Sequence, residues 1–238
     1  MNLEHTVKQF DADLEGLRTR VLAMGGLVEQ QVIFAMDGLE SGDMALIERV
    51  IANDRQVNRH EVELDEACNH VIARRQPAAV DLRMIMTVVK TITDLERIGD
   101  EAKKIAKMAR DIHASDTRMV PRVDLRPPAD IAVGMLRQAL DAFARLDVTA
   151  SAEVVRQDRE VDAGYKAAMR QLITFMMEDP RTISSSLDLL FVARAIERVG
   201  DHAKNISEYV VYLVKGRDVR HIGLAAMEKE VAQQMDNL

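Results

Sequence analysis

Two pairs of carboxylates stand out in the sequence because the same pattern occurs twice. Glu96 and Asp100 are spaced i,i+4, and Glu197 and Asp201 have the same spacing later in the chain. On a helix this spacing places both members of a pair on one face, where like charges repel each other. Each pair therefore needs a compensating cation, which is either a nearby lysine or a bound metal ion.

Two further aspartates fall on positions that should face the protein core. In the second predicted helix, Asp54 lies between Val50 and Val57 in a series of apolar residues spaced by three and four, which is typical of packed helices. Asp158 has the corresponding position in the fifth predicted helix. An isolated buried charge is very costly, so each aspartate must be paired, hydrogen-bonded or bound to a metal ion.

Two interpretations of these aspartates stay open at the level of sequence. In the first, Asp54 and Asp158 form salt bridges with Arg97 and Arg198. In the second, each half of the chain holds a metal ion through oxygen ligands, which select hard cations such as Mg²⁺, Mn²⁺, Ca²⁺ or oxidised iron. The two ligand sets would be Asp54, Asn58, Glu96 and Asp100, and Asp158, Asp162, Glu197 and Asp201.

Other patterns associated with catalysis are missing from the sequence. Di-iron carboxylate bundles use Glu-x-x-His pairs, but Gly99 and Gly200 stand where the histidines would be, and His202 is only a secondary ligand candidate. Cys68 is the one cysteine, which excludes a disulfide and a cysteine-based metal cluster. The sequence also has no P-loop, dinucleotide-binding glycine pattern or nucleophile elbow.

Helices must position all of these residues. The chain has 238 residues, of which 47% are hydrophobic, and it contains 11 Gly and 5 Pro, far fewer helix breakers than the roughly 28 of an average composition. The composition therefore predicts an all-α protein. The breakers divide the chain into six predicted helices, at residues 4–40, 44–74, 78–114, 128–145, 148–178 and 181–215.

The two halves of the chain repeat each other. Residues 95–103 (LERIGDEAK) match residues 196–204 (IERVGDHAK), and residues 54–58 match residues 158–162. This repeat predicts two tandem three-helix bundles related by a pseudo-two-fold axis. The predicted bundles span residues 1–115 and 128–216, with a linker at 116–127 and a tail at 217–238. A glycine inside a helix is unfavourable, so Gly99 and Gly200 are predicted to be points of close helix contact.

Charge and hydropathy narrow the classes of partner. The formal net charge is −7, which disfavours a protein that binds nucleic acid by general electrostatic attraction. The sequence shows neither a secretory signal nor an apolar stretch of membrane-spanning length. It therefore predicts a soluble cytoplasmic protein, not inserted in a membrane, with cations and basic protein surfaces as partners.

Several separated motifs resemble those of the PhoU family. They are the duplicated E-R-[IV]-G-D-x-A-K at 96–103 and 197–204, the segment MGGLVEQQ at 24–31, and RRQP at 74–77 followed by DLR at 81–83. The resemblance implies a PhoU-like six-helix protein that is commonly a homodimer. It also implies negative control of the phosphate-starvation regulon and of phosphate uptake, exerted between the ATPase subunit of the phosphate-specific ABC transporter and the sensor histidine kinase PhoR.

The resemblance further implies metal binding at the acidic motifs, with iron, zinc, magnesium or manganese as the ion. The matching positions are Glu96 and Asp100, Glu197 and Asp201, and the acids Asp54, Asp158 and Asp162 of the neighbouring helices. Asn58 stands where the second half has Asp162, so the first site is expected to be weaker.

Three functions are consistent with the sequence. The leading hypothesis is a non-enzymatic regulator that acts by binding proteins. The alternatives are a metal-dependent phosphohydrolase and a plain helical scaffold. The phosphohydrolase is disfavoured because no nucleophile or general base accompanies the acidic clusters.

Overall fold

The computed structural model describes residues 3–114 and 119–220. All regular secondary structure within these ranges is helical. Residues 115–118 of the predicted first bundle and linker, and residues 221–238 of the predicted tail, lie outside the described residues. None of the described helices has an apolar stretch long enough to cross a membrane. The helices are α1 (Leu3–Ser41), α2 (Met44–Arg75), α3 (Ala79–His113), α4 (Arg126–Arg145), α5 (Val148–Glu178) and α6 (Ile183–Lys215), with a 3-10 turn at Pro180–Thr182.

Local chemistry sets the helix ends, which lie within two residues of the predicted ones. The side chains of Asp43 and Asp147 accept hydrogen bonds from first-turn N–H groups of α2 and α5, which is the favoured N-cap arrangement. Gly216 ends α6 with φ of 72°, a conformation that favours glycine. Helix α4 begins at Arg126, earlier than predicted, because proline is tolerated in a first turn. Helix α6 begins at Ile183, after the 3-10 turn.

The six helices form two three-helix bundles, α1–α3 and α4–α6, as the sequence predicted. The bundles pack against each other mainly through α3 and α6, and also through α1 and α4. Ile92 and Ile98 of α3 and Val192 and Val199 of α6 are almost completely buried and belong to one apolar cluster, together with Met24 of α1. The two bundles therefore share a single hydrophobic core.

Polar contacts fix the register of α3 against α6. His202 Nδ1 lies 2.6 Å from Asp94 Oδ1, and the Asn205 side chain donates to the same oxygen at 3.1 Å. Arg198 Nε lies 2.8 Å from Glu101 Oε1. Because earlier residues of α3 meet later residues of α6, the two helices run antiparallel. Because buried polar groups must be hydrogen-bonded, these pairs select one register of α3 against α6. The His202 ring is hydrogen-bonded to Asp94 in this interface.

Helices α2 and α5 pack on α3 and α6 at the two repeated glycines. A β-carbon built on Gly99 would lie 3.0 Å from Cγ1 of Val57, and one built on Gly200 would lie 3.4 Å from Cγ1 of Val161. The prediction that these glycines are points of close contact is confirmed. The contacts hold the acids of α2 against α3 and the acids of α5 against α6.

Candidate functional site

In the first bundle, the buried aspartate of α2 is paired with a lysine of α3. Asp54 is 5% exposed, and its Oδ2 accepts a hydrogen bond from Lys103 Nζ at 2.6 Å. The same ammonium group lies 3.9 Å from Oδ1 of Asp100. The other oxygen of Asp54, Oδ1, is buried without a hydrogen-bond partner. Lys103 therefore contacts two of the predicted metal ligands, while the buried Oδ1 of Asp54 has no hydrogen-bond partner.

The surroundings of Asp54 hold more negative charge than the sequence indicated. Burial raises the pKa of Glu96, and the carboxylates of Asp100, Glu61 and Asp54 raise it further. Burial also raises the pKa of Glu61, with a contribution from Asp65. Glu61 was not predicted as a site residue, although it follows Asp54 by seven residues, a spacing that returns to the same helix face. We define the first acidic face as Asp54, Glu61, Glu96 and Asp100.

In the second bundle, the buried aspartate of α5 is paired with a lysine of α6 in the same way. Asp158 is 7% exposed, and its Oδ2 accepts a hydrogen bond from Lys204 Nζ at 2.7 Å. Glu197 is also buried, with Oε1 bound by Arg194 and Oε2 without a hydrogen-bond partner. Among the described residues, each bundle thus contains one buried carboxylate oxygen without a hydrogen-bond partner, on α2 in the first and on α6 in the second.

Repulsion among acids is also present in the second bundle. Burial raises the pKa of Glu197, and the Asp201 carboxylate raises it further. Burial raises the pKa of Asp201 as well, followed by the effect of Asp158. Asp162 contributes to both increases. We define the second acidic face as Asp158, Asp162, Glu197 and Asp201, whose carboxylates interact electrostatically between α5 and α6.

The predicted salt bridges from Arg97 and Arg198 to the buried aspartates are wrong. Arg198 instead binds Glu101 across the interface between the bundles. Lys103 and Lys204 pair with the aspartates, because each lies seven residues after the motif glutamate and returns to its helix face. The arginine directly after each motif glutamate is rotated by about 100° around the helix axis and lies on another side.

The donor chemistry of the acidic faces fits a hard cation. The unsatisfied oxygens of Asp54 and Glu197 are the kind of ligand such ions take. The carboxylates around Glu96 and Glu197 add to the rise in pKa that burial of these two glutamates causes. Within residues 3–114 and 119–220, however, no three His, Cys, Asp or Glu side chains are arranged to hold a metal ion. A metal ion would have to compete with Lys103 and Lys204. Metal binding therefore stays a prediction.

Comparison with known proteins identifies relatives over nearly the whole chain. The PhoU domain family matches the chain twice, at residues 21–109 and 127–210. The phosphate-specific transport system accessory protein PhoU homolog of Pseudomonas aeruginosa is 48% identical over 95% of this chain and 94% of its own length. The phosphate-specific transport system accessory protein PhoU of Escherichia coli K12 is 46% identical over 96% of this chain and 95% of its own length.

Solved structures of similar proteins have the same fold. The crystal structure of PhoU from Pseudomonas aeruginosa superposes with a TM-score of 0.84 at 47% identity, covering 87% of this chain and 100% of that one. The phosphate transport system regulatory protein PhoU from Streptococcus pneumoniae gives a TM-score of 0.82 at 27% identity, covering 88% of this chain and 99% of that one. These similarities extend across both bundles.

Proposed function

The chain belongs to the PhoU family, and from this membership we propose that it regulates phosphate homeostasis in the cytoplasm by binding other proteins. The observation that carries the proposal is the identity of 46–48% over about 95% of the chain to accessory proteins of the phosphate-specific transport system. The same relatives and structures identify an accessory protein, not an enzyme. A role in regulating phosphate transport follows from these similarities.

The finer proposal is that the chain represses the phosphate-starvation regulon and phosphate uptake. It would do so by coupling the ATPase subunit of the phosphate-specific ABC transporter to the sensor histidine kinase PhoR. A non-catalytic protein can carry a signal only if its partners bind its states, or its complexes, with different affinities. The two acidic faces support this proposal, because they lie on different bundles and offer separate surfaces to basic regions of two partners.

We also propose that the acidic faces bind Mg²⁺, Mn²⁺, Fe or Zn ions. The residues that would hold the ions are Asp54, Glu96 and Asp100 in the first bundle and Asp158, Asp162, Glu197 and Asp201 in the second. A bound cation would offset the negative charge of the neighbouring carboxylates, which adds to the effect of burial on the pKa values of Glu96 and Glu197. Metal loading would then change the charge that each face presents to a partner.

A homodimer is part of the same proposal. Ile183, Leu187 and Phe191 follow each other at four-residue spacing along α6 and are 41%, 41% and 54% exposed. Contiguous exposed apolar residues of this kind commonly mark a protein interface. Sedimentation at micromolar concentration should give about twice the monomer mass of 26.7 kDa, as expected for a closed symmetric pair. A monomeric mass at all concentrations would contradict the proposed homodimer.

Deletion and complementation test the regulatory role. Deleting the gene should switch on alkaline phosphatase and other phosphate-starvation genes even in high phosphate, and the intact gene should restore repression. A strain that represses these genes normally without the protein would refute the proposed function.

The same strain tests whether the acidic faces matter for regulation. The variant Asp100→Ala, Asp201→Ala should fail to restore repression if these faces act in the signal. The matched control is Asp141→Ala, Glu160→Ala, which removes the same charge from exposed positions and should complement. Normal repression by the first variant would refute a role for the acidic faces while leaving the regulatory role intact.

A further inference from the structure

A cleft between α3 and α6 is lined almost entirely by charged side chains. Its volume is about 350 Å³, within the range of small-molecule sites. The lining residues are Asp100, Glu101, Lys103, Lys104, Lys107 and Arg198. Four cations and two carboxylates thus surround one space at the junction of the two bundles.

A buried carboxylate holds two of these cations in place. Glu101 is 3% exposed. Its Oε2 accepts a hydrogen bond from Lys104 Nζ at 2.6 Å, and Arg198 Nε lies 2.8 Å from its Oε1. One carboxylate cannot neutralise two cations, so this group carries a net positive charge. The terminal N–H groups of a guanidinium bound through Nε remain available as donors.

A third cation of the cleft has no carboxylate of its own. Lys107 is exposed and forms no salt bridge with the described residues. Lys103, by contrast, is neutralised by Asp54 at 2.6 Å. Positions 100, 103, 104 and 107 share one face of α3 because their spacing follows the helical repeat. The four cations outnumber the carboxylates of Asp54, Asp100 and Glu101 by one. The cleft therefore keeps an excess of positive charge in a protein whose net charge is −7.

The internal repeat did not produce this cleft. At the equivalent positions of the other half, the sequence has Arg97 for Arg198, Asn205 for Lys104 and Glu208 for Lys107. The related surface therefore lacks two of the cations and gains a carboxylate. Glu101 gives Arg198 and Lys104 a structural partner in the packing of α3 on α6. Lys107 has no such partner among the described residues, so the packing of the helices leaves this cation of the cleft unexplained.

We propose that the cleft binds a phosphoryl group, with Lys104, Lys107 and Arg198 as its donors. Arginine and lysine at fixed positions recognise phosphate oxygens through charge-assisted hydrogen bonds. The lining contains no aromatic side chain to stack on a base, so recognition rests on the phosphoryl group itself. Free inorganic phosphate and the phosphates of a nucleotide share this chemistry. A ligand here would touch both α3 and α6, and so both bundles.

Binding is measured by calorimetric titration of the full chain with inorganic phosphate in a phosphate-free buffer at low ionic strength. EDTA is present throughout, so that phosphate cannot bind through metal ions at the acidic faces. Saturable binding is expected. Lys107→Gln should weaken it about tenfold or more, since it removes a hydrogen bond to a charged group. Because Lys107 is exposed and has no salt-bridge partner in the part of the chain that the structure describes, this variant should fold normally.

The matched control is Lys8→Gln, which makes the same change of charge at an exposed position on α1 and should leave binding unchanged. A parallel titration with ATP separates the two sources of the ligand: tighter binding of ATP than of phosphate, lost in Lys107→Gln, identifies a nucleotide site. Binding of phosphate alone identifies a site for the free anion. Absence of saturable binding for both probes, or equal weakening by Lys8→Gln and Lys107→Gln, would overturn the proposal.

The proposal is independent of the regulatory function above. The deletion phenotype reports on regulation whether or not the cleft binds an anion, and the titration reports on the cleft whether or not the protein represses any gene.

Discussion

The two acidic faces follow one helical plan but differ in charge and depth. Glu197 of the second face is 8% exposed, whereas Glu96 of the first is half-buried. The second face carries Asp162 where the first has Asn58, and the Asp100 side chain is 53% exposed. The second bundle therefore keeps more of its negative charge away from water. The repeat has preserved the packing of the helices while the electrostatics of the two faces have diverged.

The largest expected effect comes from removing the lysines that neutralise the buried aspartates. Lys204→Met leaves Asp158 buried without its cation. Breaking a buried pair in this way costs about 3–5 kcal/mol, and the 32% exposure of the lysine side chain reduces the expected loss to about 2–4 kcal/mol. Asp54 is as buried as Asp158, but Lys103→Met should cost less because Glu96 of the first face is half-buried, whereas Glu197 of the second face is buried.

Urea unfolding of both variants measures this difference in the free energy of unfolding. The control is Lys107→Met, which removes an exposed lysine and should change that free energy by less than about 0.5 kcal/mol. Equal losses for Lys103→Met and Lys204→Met would show that the two faces do not differ in buried charge.

A second difference lies at the end of α6, where Glu208 stands in the position that Lys107 has in α3. Burial raises the pKa of Glu208 to about 7, with opposing contributions from Lys204 and Arg220. A carboxyl group with a raised pKa in the folded state favours folding when protonated. The contribution of Glu208 to the free energy of unfolding is complete below pH 4.5, the ordinary pKa of a glutamate. This contribution is lost as the pH rises through about 7, the pKa in the folded state.

The free energy of unfolding should therefore fall by about 1 kcal/mol between pH 6 and pH 8 through this group. Glu208→Gln should remove that part of the pH dependence, as measured by urea unfolding across the range. Glu160→Gln, at an exposed position, should keep the wild-type slope. An unchanged slope in Glu208→Gln would show that Glu208 is ionised throughout this range.

Reciprocal substitutions test whether the charge at one position sets metal affinity. Asn58→Asp gives the first face the carboxylate that the second already has, and Asp162→Asn does the reverse. Because affinity for hard cations depends on the number of charged ligands, each change should shift the Mn²⁺ affinity of its face by about tenfold, in opposite directions.

Calorimetric titration with Mn²⁺ reports both affinities. The double variant Asp100→Ala, Asp201→Ala should lose bound metal while its helix content, measured by circular dichroism, stays intact. If the metal content of this double variant equals that of the wild type, the acidic faces are not the metal sites.

The smallest expected effect distinguishes the two repeated glycines. Gly99→Ala would place a β-carbon 3.0 Å from Val57, whereas Gly200→Ala would place it 3.4 Å from Val161. Alanine favours a helix over glycine by about 1 kcal/mol, while overpacking costs about 1–3 kcal/mol. Gly200→Ala should therefore be neutral or stabilising by up to about 1 kcal/mol, and Gly99→Ala should be destabilising by about 1 kcal/mol.

Thermal unfolding of the two glycine variants decides between these signs. Val57 is completely buried, and its branched side chain has little freedom to rotate in a helix, which is why the closer contact should dominate at Gly99. Stabilisation by both substitutions would mean that α2 can shift away from α3 at little cost.

Much of the site could be predicted from the sequence, because it depends on short-range spacing. The pairs Glu96 and Asp100, and Glu197 and Asp201, share helix faces whatever the tertiary structure does. The apolar spacing around Asp54 likewise predicted its burial. Glu61 was missed, although its seven-residue distance from Asp54 carried the same kind of signal.

The partners of these acids could not be predicted in the same way. Arg97 and Lys103 both lie on the helix that packs against the helix of Asp54. Only the way in which α2 packs on α3 decides that the lysine is the partner. The contacts of Glu101 with Arg198 and of Asp94 with His202 join residues about a hundred positions apart. No local periodicity links such residues.

The sequence by itself determined the six helices, their ends and the repeat, because helix caps, breakers and apolar periodicity act over a few residues. The tertiary structure decided the shared core, the partner of each buried charge and the cationic cleft between α3 and α6. These features depend on which faces of distant helices meet, and in what register. That is settled by the joint packing of all six helices.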